Sequence, residues 1–230
     1  MSLSGRRQTR VPIQLEVEYR TTGNFLVAYS TNLSRGGLFV QTIQPPPIGT
    51  QVKLRVKAPG VDDAVEVDAV VAWVRATESP DGHPPGFGVE FSGTAGRFGQ
   101  VVDRIVASFR GLRILVVGGA GSGRSLVARY LRSIVTCDIL ELTAADTLGP
   151  AAQQADLAIV DVDSSGPEAF ESIRAAKARA QTPVIAMASS QEERETARQS
   201  GADETLPAQP SFNDLQAAVI RALARPVRVT

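Results

Sequence analysis

The stretch RGLRILVVGG, residues 110–119, divides this chain of 230 residues into two parts with different periodicities. On its N-terminal side, apolar and polar residues alternate in short runs such as residues 13–19, which is typical of half-buried strands. On its C-terminal side, short apolar runs alternate with segments of helical spacing, which is typical of a parallel sheet covered on both faces. The sequence therefore predicts two domains, residues 5–109 and residues 112–226.

The N-terminal domain is predicted to be an antiparallel β-barrel. Its predicted strands cover residues 13–19, 24–31, 37–42, 52–57, 65–75 and 86–91. Short strands at this spacing are typical of a closed or nearly closed barrel. Trp73 offers a surface for ligand stacking, but its valine neighbours favour a place in the barrel wall. A helix is predicted over residues 94–109, because the apolar residues there form one stripe.

The C-terminal domain is predicted to be a doubly wound α/β domain with a five-stranded parallel sheet. Its predicted strands cover residues 114–117, 139–142, 157–162, 184–188 and 204–206. Its predicted helices cover residues 122–134, 144–154, 167–180, 192–199 and 212–224. This strict alternation places helices on both faces of the sheet.

Composition excludes several classes of function. Lys+Arg and Asp+Glu both number 24, and this balance argues against a general nucleic-acid binder. Cys137 is the only cysteine, which fits a reducing compartment, and His83 is the only histidine, so we expect no metal site. The sequence has no apolar run long enough to span a membrane and no signal peptide. We therefore expect a cytoplasmic protein without membrane insertion.

Two short polar clusters near the N-terminus carry the functional prediction. The first is RRQTR, residues 6–10, which has the form RxxxR, and the second is NLSRGG, residues 32–37, which has the form [D/N]xSxxG. Taken singly, a basic run is usually a solvated tail and the second cluster is usually a turn. In this order, and followed by short strands that end in GFGVEF at residues 86–91, they resemble the PilZ family. The resemblance covers roughly residues 5–108.

The PilZ resemblance implies binding of cyclic di-GMP. It assigns the ligand contacts to Arg6, Arg7, Arg10, Asn32, Ser34, Arg35, Gly36 and Gly37. The residue types suit that ligand, because an arginine fork matches the O6 and N7 acceptors of guanine and can stack on a purine. An asparagine offers both a donor and an acceptor, and glycines permit close backbone approach. The arginines are expected on a flexible arm that folds over the bound ligand.

The C-terminal domain resembles a response-regulator receiver domain. The resemblance rests on DLAIVDVD at residues 156–163, PVIAMAS at 183–189 and SGADETL at 200–206. It places Asp161 at the position of the phosphorylated aspartate, at the C-terminal end of a strand.

Other residues of the receiver site are replaced. Gly118 and Gly119 stand where receivers have the acidic pair that holds Mg²⁺, and Gln209 replaces the lysine. The hydroxyl position holds Ala188, with Ser189 beside it. Too few oxygen ligands then remain for Mg²⁺ to neutralise a phosphoryl group. We therefore predict a pseudo-receiver in which Asp161 is vestigial.

The same glycines also permit another interpretation. GGAGSGRS, residues 118–125, follows a strand and opens a helix, as a phosphate-binding P-loop would. Arg124 stands where the P-loop has lysine, and the two cations are not interchangeable there. The domain is also short for an NTPase, so nucleotide hydrolysis is the weaker hypothesis. A glycine-rich turn between a strand and a helix is the plainer account, and anion binding at the helix N-terminus stays open.

The sequence thus predicts a non-enzymatic signal-transduction protein for a bacterial second messenger. Cyclic di-GMP would change its conformation or its contacts with an unidentified protein partner, and the receiver-like domain would act as an interaction module or homodimerise. Three alternatives stay open: a response regulator phosphorylated on Asp161, a P-loop-like nucleotide-binding protein, and a scaffold that binds no nucleotide.

Overall fold

The computed structural model describes residues 13–33, 37–57, 64–79, 84–92, 96–119, 122–143, 148–225 and 228–229. The first part of the chain contains β1 (Ile13–Glu18), α1 (Thr22–Leu33), β2 (Gly37–Gln41), β3 (Gln51–Lys57), β4 (Val65–Arg75), β5 (Gly86–Phe91) and α2 (Gly96–Ser108). The second part contains β6 (Leu112–Val117), α3 (Ser122–Ile134), β7 (Cys137–Leu142), α4 (Leu148–Gln154), β8 (Leu157–Asp161), α5 (Val162–Ser165), α6 (Glu168–Ala180), β9 (Val184–Met187), α7 (Gln191–Gln199), β10 (Glu204–Leu206), α8 (Phe212–Leu223) and β11 (Arg228–Val229).

The first sheet is a curled half-barrel of six strands in the order β11-β1-β3-β4-β5-β2. Its ladders are antiparallel except the one between β1 and β3, which is parallel. The expectation of an antiparallel barrel that is closed or nearly closed is therefore corrected, since the sheet is a half-barrel with one parallel ladder. The physical reason is that a helix follows β1, so β1 has no hairpin partner and pairs in parallel with β3 instead.

The strand predicted over residues 24–31 is wrong, since this segment lies in helix α1. Its aromatic and β-branched residues suggested a strand. The hydroxyl of Thr21 accepts a hydrogen bond from the backbone N–H of Asn24 at 3.1 Å, which starts the helix. Phe25 and Ala28 then reach the core from one helix face. Tertiary packing has overridden local propensity here.

Aromatic side chains fill the concave side of the half-barrel. Phe98 of α2 contacts Phe25 of α1 at 6.4 Å and Phe91 of β5 at 5.4 Å between ring centroids. Val102 and Ile105 continue the apolar stripe of α2, and both are buried. The predicted helix over residues 94–109 is confirmed, with bounds Gly96–Ser108.

The second sheet has five parallel strands in the order β10-β9-β8-β6-β7. Counted within this part of the chain, that order is 2-1-3-4-5, the flavodoxin-like doubly wound arrangement. Side chains of β6 alternate between two cores: one holds Ile114 with α3 and α8, and the other holds Leu115 with α4, α6 and α7. The predicted five-stranded α/β sheet is confirmed, and α5 is an element that the sequence analysis missed.

Residues 228–229 return to the first sheet. In β11, Val229 pairs with Val17 and Arg228 with Glu18, antiparallel to β1. This ladder lies beyond the predicted second domain of residues 112–226. Within the described ranges, none of the helices combines the length and apolar character that a bilayer crossing requires.

Candidate functional site

The residues predicted to bind cyclic di-GMP lie at or near the ends of helices and strands that the structure describes. Arg6, Arg7, Arg10, Ser34, Arg35 and Gly36 lie outside the described residues. The backbone of Asn32 lies in the last turn of α1, and Gly37 is the first residue of β2. The geometry of the candidate site is therefore defined by where β1, α1 and β2 begin and end.

Strand register places the starts of β1 and β2 at one level of the half-barrel. Backbone pairing links one residue from each of four strands in a single row: Ile13, Val52, Ala69 and Phe91. Gly37 pairs with Glu90, one position from this row. Strands β1 and β2 therefore begin at nearly the same level of the sheet.

Gly37 is required by the packing of β2 against β5. A Cβ at this position would overlap the backbone carbonyl oxygen of Val89. The strand can approach β5 this closely only because glycine has no side chain. This requirement is structural, and it fixes the position at which β2 begins.

An aromatic stack lies next to Gly37 on the sheet. Phe39 follows two residues along β2, so strand alternation puts it on the same face as Gly37. The rings of Phe39 and Trp73 are stacked, with centroids 5.3 Å apart and planes 10° apart. The Arg75 guanidinium carbon lies 5.4 Å and 5.2 Å from these two centroids.

Trp73 lies in β4, a strand of the half-barrel, as the sequence analysis expected. Its indole is half-buried and stacked on Phe39. Flat aromatic and guanidinium groups are surfaces on which a purine can stack. The sequence signal for Phe39 was available in the alternation of β2, whereas Arg75 follows a register shift in β4 between Val71 and Trp73.

The receiver-like centre is arranged differently. Asp161 ends β8, and its carboxylate accepts a hydrogen bond from the backbone N–H of Ser164 at 3.3 Å, so it caps α5. The backbone N–H of Gly119 donates to the Ser164 hydroxyl at 2.8 Å. A Cβ at Gly118 would lie 3.0 Å from both the Asp161 Cβ and the Ser164 Oγ. Helix α5 therefore fills the space beside Asp161.

Ser189, the candidate hydroxyl of the receiver pattern, contacts a different carboxylate. Its backbone N–H donates to Asp163 at 3.0 Å, and its hydroxyl donates to the other carboxylate oxygen of Asp163. The sequence analysis did not single out Asp163. Among the residues that the structure describes, no group of three or more His, Cys, Asp or Glu side chains converges on a point that could hold a metal ion.

Arg124, the key residue of the P-loop interpretation, is held by β7 and the preceding turn. Its Nε pairs with the Glu141 carboxylate at 2.8 Å, and Nη1 donates to the carbonyl of Gly118 at 3.2 Å. Only 17 % of the Arg124 side chain is exposed. The guanidinium therefore does not face outward as a phosphate ligand, and residues 120–121 of this turn lie outside the described residues.

A cavity of about 560 Å³ lies between the two sheets. Its charged lining residues are Arg20, Lys177, Asp203 and Arg225. Lys177 pairs with Asp203 at 2.8 Å, so part of this charge is neutralised internally.

Comparison with protein families confirms the first resemblance. Residues 4–108 match the family model of the PilZ domain. This stretch is identified as a PilZ domain, which implies cyclic di-GMP binding and signalling. PilZ domains are binding modules, and no catalytic family is indicated. Comparison with curated proteins gives no match.

Solved receiver domains are similar to the other half of the chain. The receiver domain of the sensor histidine kinase PA1611 from Pseudomonas aeruginosa is 21% identical, with a TM-score of 0.44, over 50% of this chain and 99% of that one. The chemotaxis protein CheY4 from Vibrio cholerae is 21% identical, with a TM-score of 0.42, over 48% of this chain and 98% of that one. The receiver-like fold itself rests on the strand order described above.

Proposed function

We propose that this protein is a non-enzymatic effector that binds cyclic di-GMP through Arg6, Arg7 and Arg10 on one side and residues 32–37 on the other. The observation that carries the proposal is the register, which brings the starts of β1 and β2 to nearly the same level of the sheet. The match of residues 4–108 to the PilZ family covers both segments.

The ligand's chemistry suits these residues. Arg6 and Arg10 each supply a planar fork for the O6 and N7 acceptors of a guanine. Asn32 offers an amide to a guanine edge, and Ser34 a hydroxyl. The stack of Phe39, Trp73 and Arg75 adds a flat surface beside Gly37 for a second contact with the base. The arm orders when ligand binds, which is an ordinary switching route.

Calorimetric titration with cyclic di-GMP tests the proposal. The wild-type protein is compared with Arg6→Ala/Arg10→Ala and with Arg104→Ala/Arg110→Ala, which removes the same charge at two exposed positions outside the motif. We expect micromolar or tighter binding by the wild type and the control, and none by the motif variant. A folded wild-type protein that gives no heat of binding would refute the proposal and leave a nucleotide-free scaffold.

We propose further that residues 112–226 form a pseudo-receiver that serves as an interaction module and is not phosphorylated. The support is the pairing of Asp161 with α5 and the glycines in place of the acidic pair. Incubation with acetyl phosphate and Mg²⁺, followed by intact-mass measurement, is the test. A stoichiometric phosphoryl adduct that Asp161→Asn abolishes would instead establish a phosphorylation-dependent regulator.

The proposed setting follows from the ligand. Cyclic di-GMP is an intracellular messenger by the PilZ resemblance, so we place the protein in the cytoplasm. Residues 5–109 would be the sensing domain. A protein partner or a second copy of the chain would bind the receiver-like domain, and size-exclusion chromatography with light scattering distinguishes the dimer from the monomer.

A further inference from the structure

Helix α1 is shared by the two halves of the molecule. Phe25 and Ala28 belong to the core of the half-barrel. Val27, on another face of the same helix, packs against the core of the second sheet. Because one twelve-residue helix contributes to both cores, a displacement of α1 changes the packing of both.

The N-terminal end of α1 is hydrogen-bonded to the second half. The Thr21 hydroxyl donates to the carboxylate of Asp156, whose other oxygen accepts from the backbone N–H of Arg113 at 2.7 Å. The side-chain amide of Asn24 donates to the carbonyl of Leu223, in α8, at 3.1 Å. Asn24 is only 1% exposed, so removing its amide deletes a buried hydrogen bond between α1 and α8.

Close packing accompanies these hydrogen bonds. Gly23 is buried against the second half, and a Cβ there would overlap the Leu112 side chain and lie 2.7 Å from a carboxylate oxygen of Asp156. Burial at this junction lowers the pKa of the Arg20 guanidinium, and the nearby Asp156 carboxylate partly offsets that effect. The Arg20 side chain donates to the carbonyl of Ala155. The junction is therefore a specific docked contact.

The sequence of α1 makes this docking necessary. The helix contains Gly23 and the β-branched residues Thr22, Val27 and Thr31, which are weak helix formers. It has no acidic residue in its first turn and no basic residue in its last turn to favour the helix dipole. A twelve-residue helix of this composition depends on tertiary contacts to form.

The C-terminal end of α1 carries Asn32 and leads into the NLSRGG motif. We infer that cyclic di-GMP binding and the docking of the receiver-like half onto α1 are coupled, so that each event makes the other more favourable. The inference rests on the proposed function, and it names the receiver-like half of the same chain as the partner that responds to ligand. The reason is that both contacts order one weak helix, and the ordering cost of the second contact is lower after the first.

Calorimetry and hydrogen exchange test the linkage. Asn24→Ala removes the bond to α8, and Ser30→Ala is the matched control, since both changes favour helix but Ser30 is exposed and its hydroxyl bonds within α1. We expect Asn24→Ala to weaken cyclic di-GMP binding at least about fivefold and Ser30→Ala to leave it unchanged. In the wild type, saturating cyclic di-GMP should slow amide exchange in α8.

A second variant guards against misfolding. Gly23→Ala keeps every hydrogen-bonding group but wedges a methyl group between α1 and Asp156. It should weaken cyclic di-GMP binding as Asn24→Ala does. Wild-type affinity in both folded variants, or unchanged exchange in α8 on ligand saturation, would overturn the linkage while leaving the proposed function intact. Absence of binding by the wild type would overturn the function as well.

Discussion

Two glycine-bearing sites in this molecule have opposite outcomes. At Gly37, the missing side chain lets β2 approach β5, beside a stack of Phe39, Trp73 and Arg75. At Gly118 and Gly119, the missing side chains leave space that α5 fills, with Ser164 bonded to Gly119 and to Asp161. The first glycine lets two strands pack closely beside the proposed binding surface, whereas the second pair lies against a helix that fills the space beside Asp161. The structural role of a glycine therefore depends on which atoms occupy the space that a side chain would have taken.

We expect the largest effect on stability from one of two matched substitutions at these two sites. Gly37→Ala would overlap the backbone oxygen of Val89, which cannot move without breaking the ladder, so we expect destabilisation on the order of 3 kcal/mol. Gly118→Ala meets side chains at 3.0 Å, and reduced unfolded-chain entropy offsets part of the strain, so the change should be within roughly 1 kcal/mol. Urea unfolding of both variants measures the difference. Equal losses would remove the contrast between the two sites.

Substitution of a single arginine tests the proposed cyclic di-GMP site. Arg10→Ala should remove one bidentate contact to guanine and cost about 1–3 kcal/mol, equivalent to roughly five- to 150-fold in affinity. If Arg10 lies on the proposed ligand-binding arm, the unfolding midpoint should not change. Titration calorimetry and thermal unfolding of the same preparation give both quantities. A variant that unfolds instead would show that Arg10 is structural.

Substitution of Arg124 tests the interpretation of the glycine-rich turn at Gly118 and Gly119. Arg124→Ala removes an ion pair with Glu141 in which the arginine is mostly buried and the carboxylate is 38% exposed. After allowance for screening by solvent, we expect a loss of about 1 kcal/mol. The comparison with Glu141→Ala and the double variant gives the coupling energy. ATP or GTP turnover that disappears in Arg124→Ala would instead support the P-loop interpretation.

The smallest expected effect is at Asp161. Asparagine is as good an N-cap as aspartate, so Asp161→Asn should change the free energy of unfolding by less than about 0.5 kcal/mol. Asp161→Ala, which cannot cap α5, should cost about 1 kcal/mol. Thermal unfolding of the two variants gives the order. If asparagine proves as harmful as alanine, the carboxylate charge has a role besides capping.

The sequence predicted the second sheet better than the first. Runs such as residues 114–117 are apolar on both faces, and the neighbouring helices are long, so periodicity alone identified the alternation. Residues 22–33 failed that test, because Phe25 and Val27 suit a strand equally well and only contacts with two distant cores select the helix. The two-residue strand β11 depends on pairing with β1, and its local sequence does not predict that pairing.

Some features of the candidate sites could likewise be read from the sequence, and others could not. The motif residues 6–10 and 32–37 were identified from residue type and spacing, and the absence of an acidic pair at Gly118 and Gly119 was visible directly. The use of Ser164 to fill that space was not visible, because α5 is a single turn without a periodic pattern. Nor was the ion pair between Arg124 and Glu141 visible, since α3 and β7 come into contact only in the folded domain.

The ladder between β1 and β11 sets the order in which the protein can finish folding. Strand β1 leaves the ribosome well before β11, the strand that covers its edge at Val17. Until residues 228–229 emerge, that edge offers unpaired backbone groups to other chains. Synthesis of the receiver-like half thus precedes completion of the half-barrel, and a nascent chain interrupted before β11 would present an open strand edge.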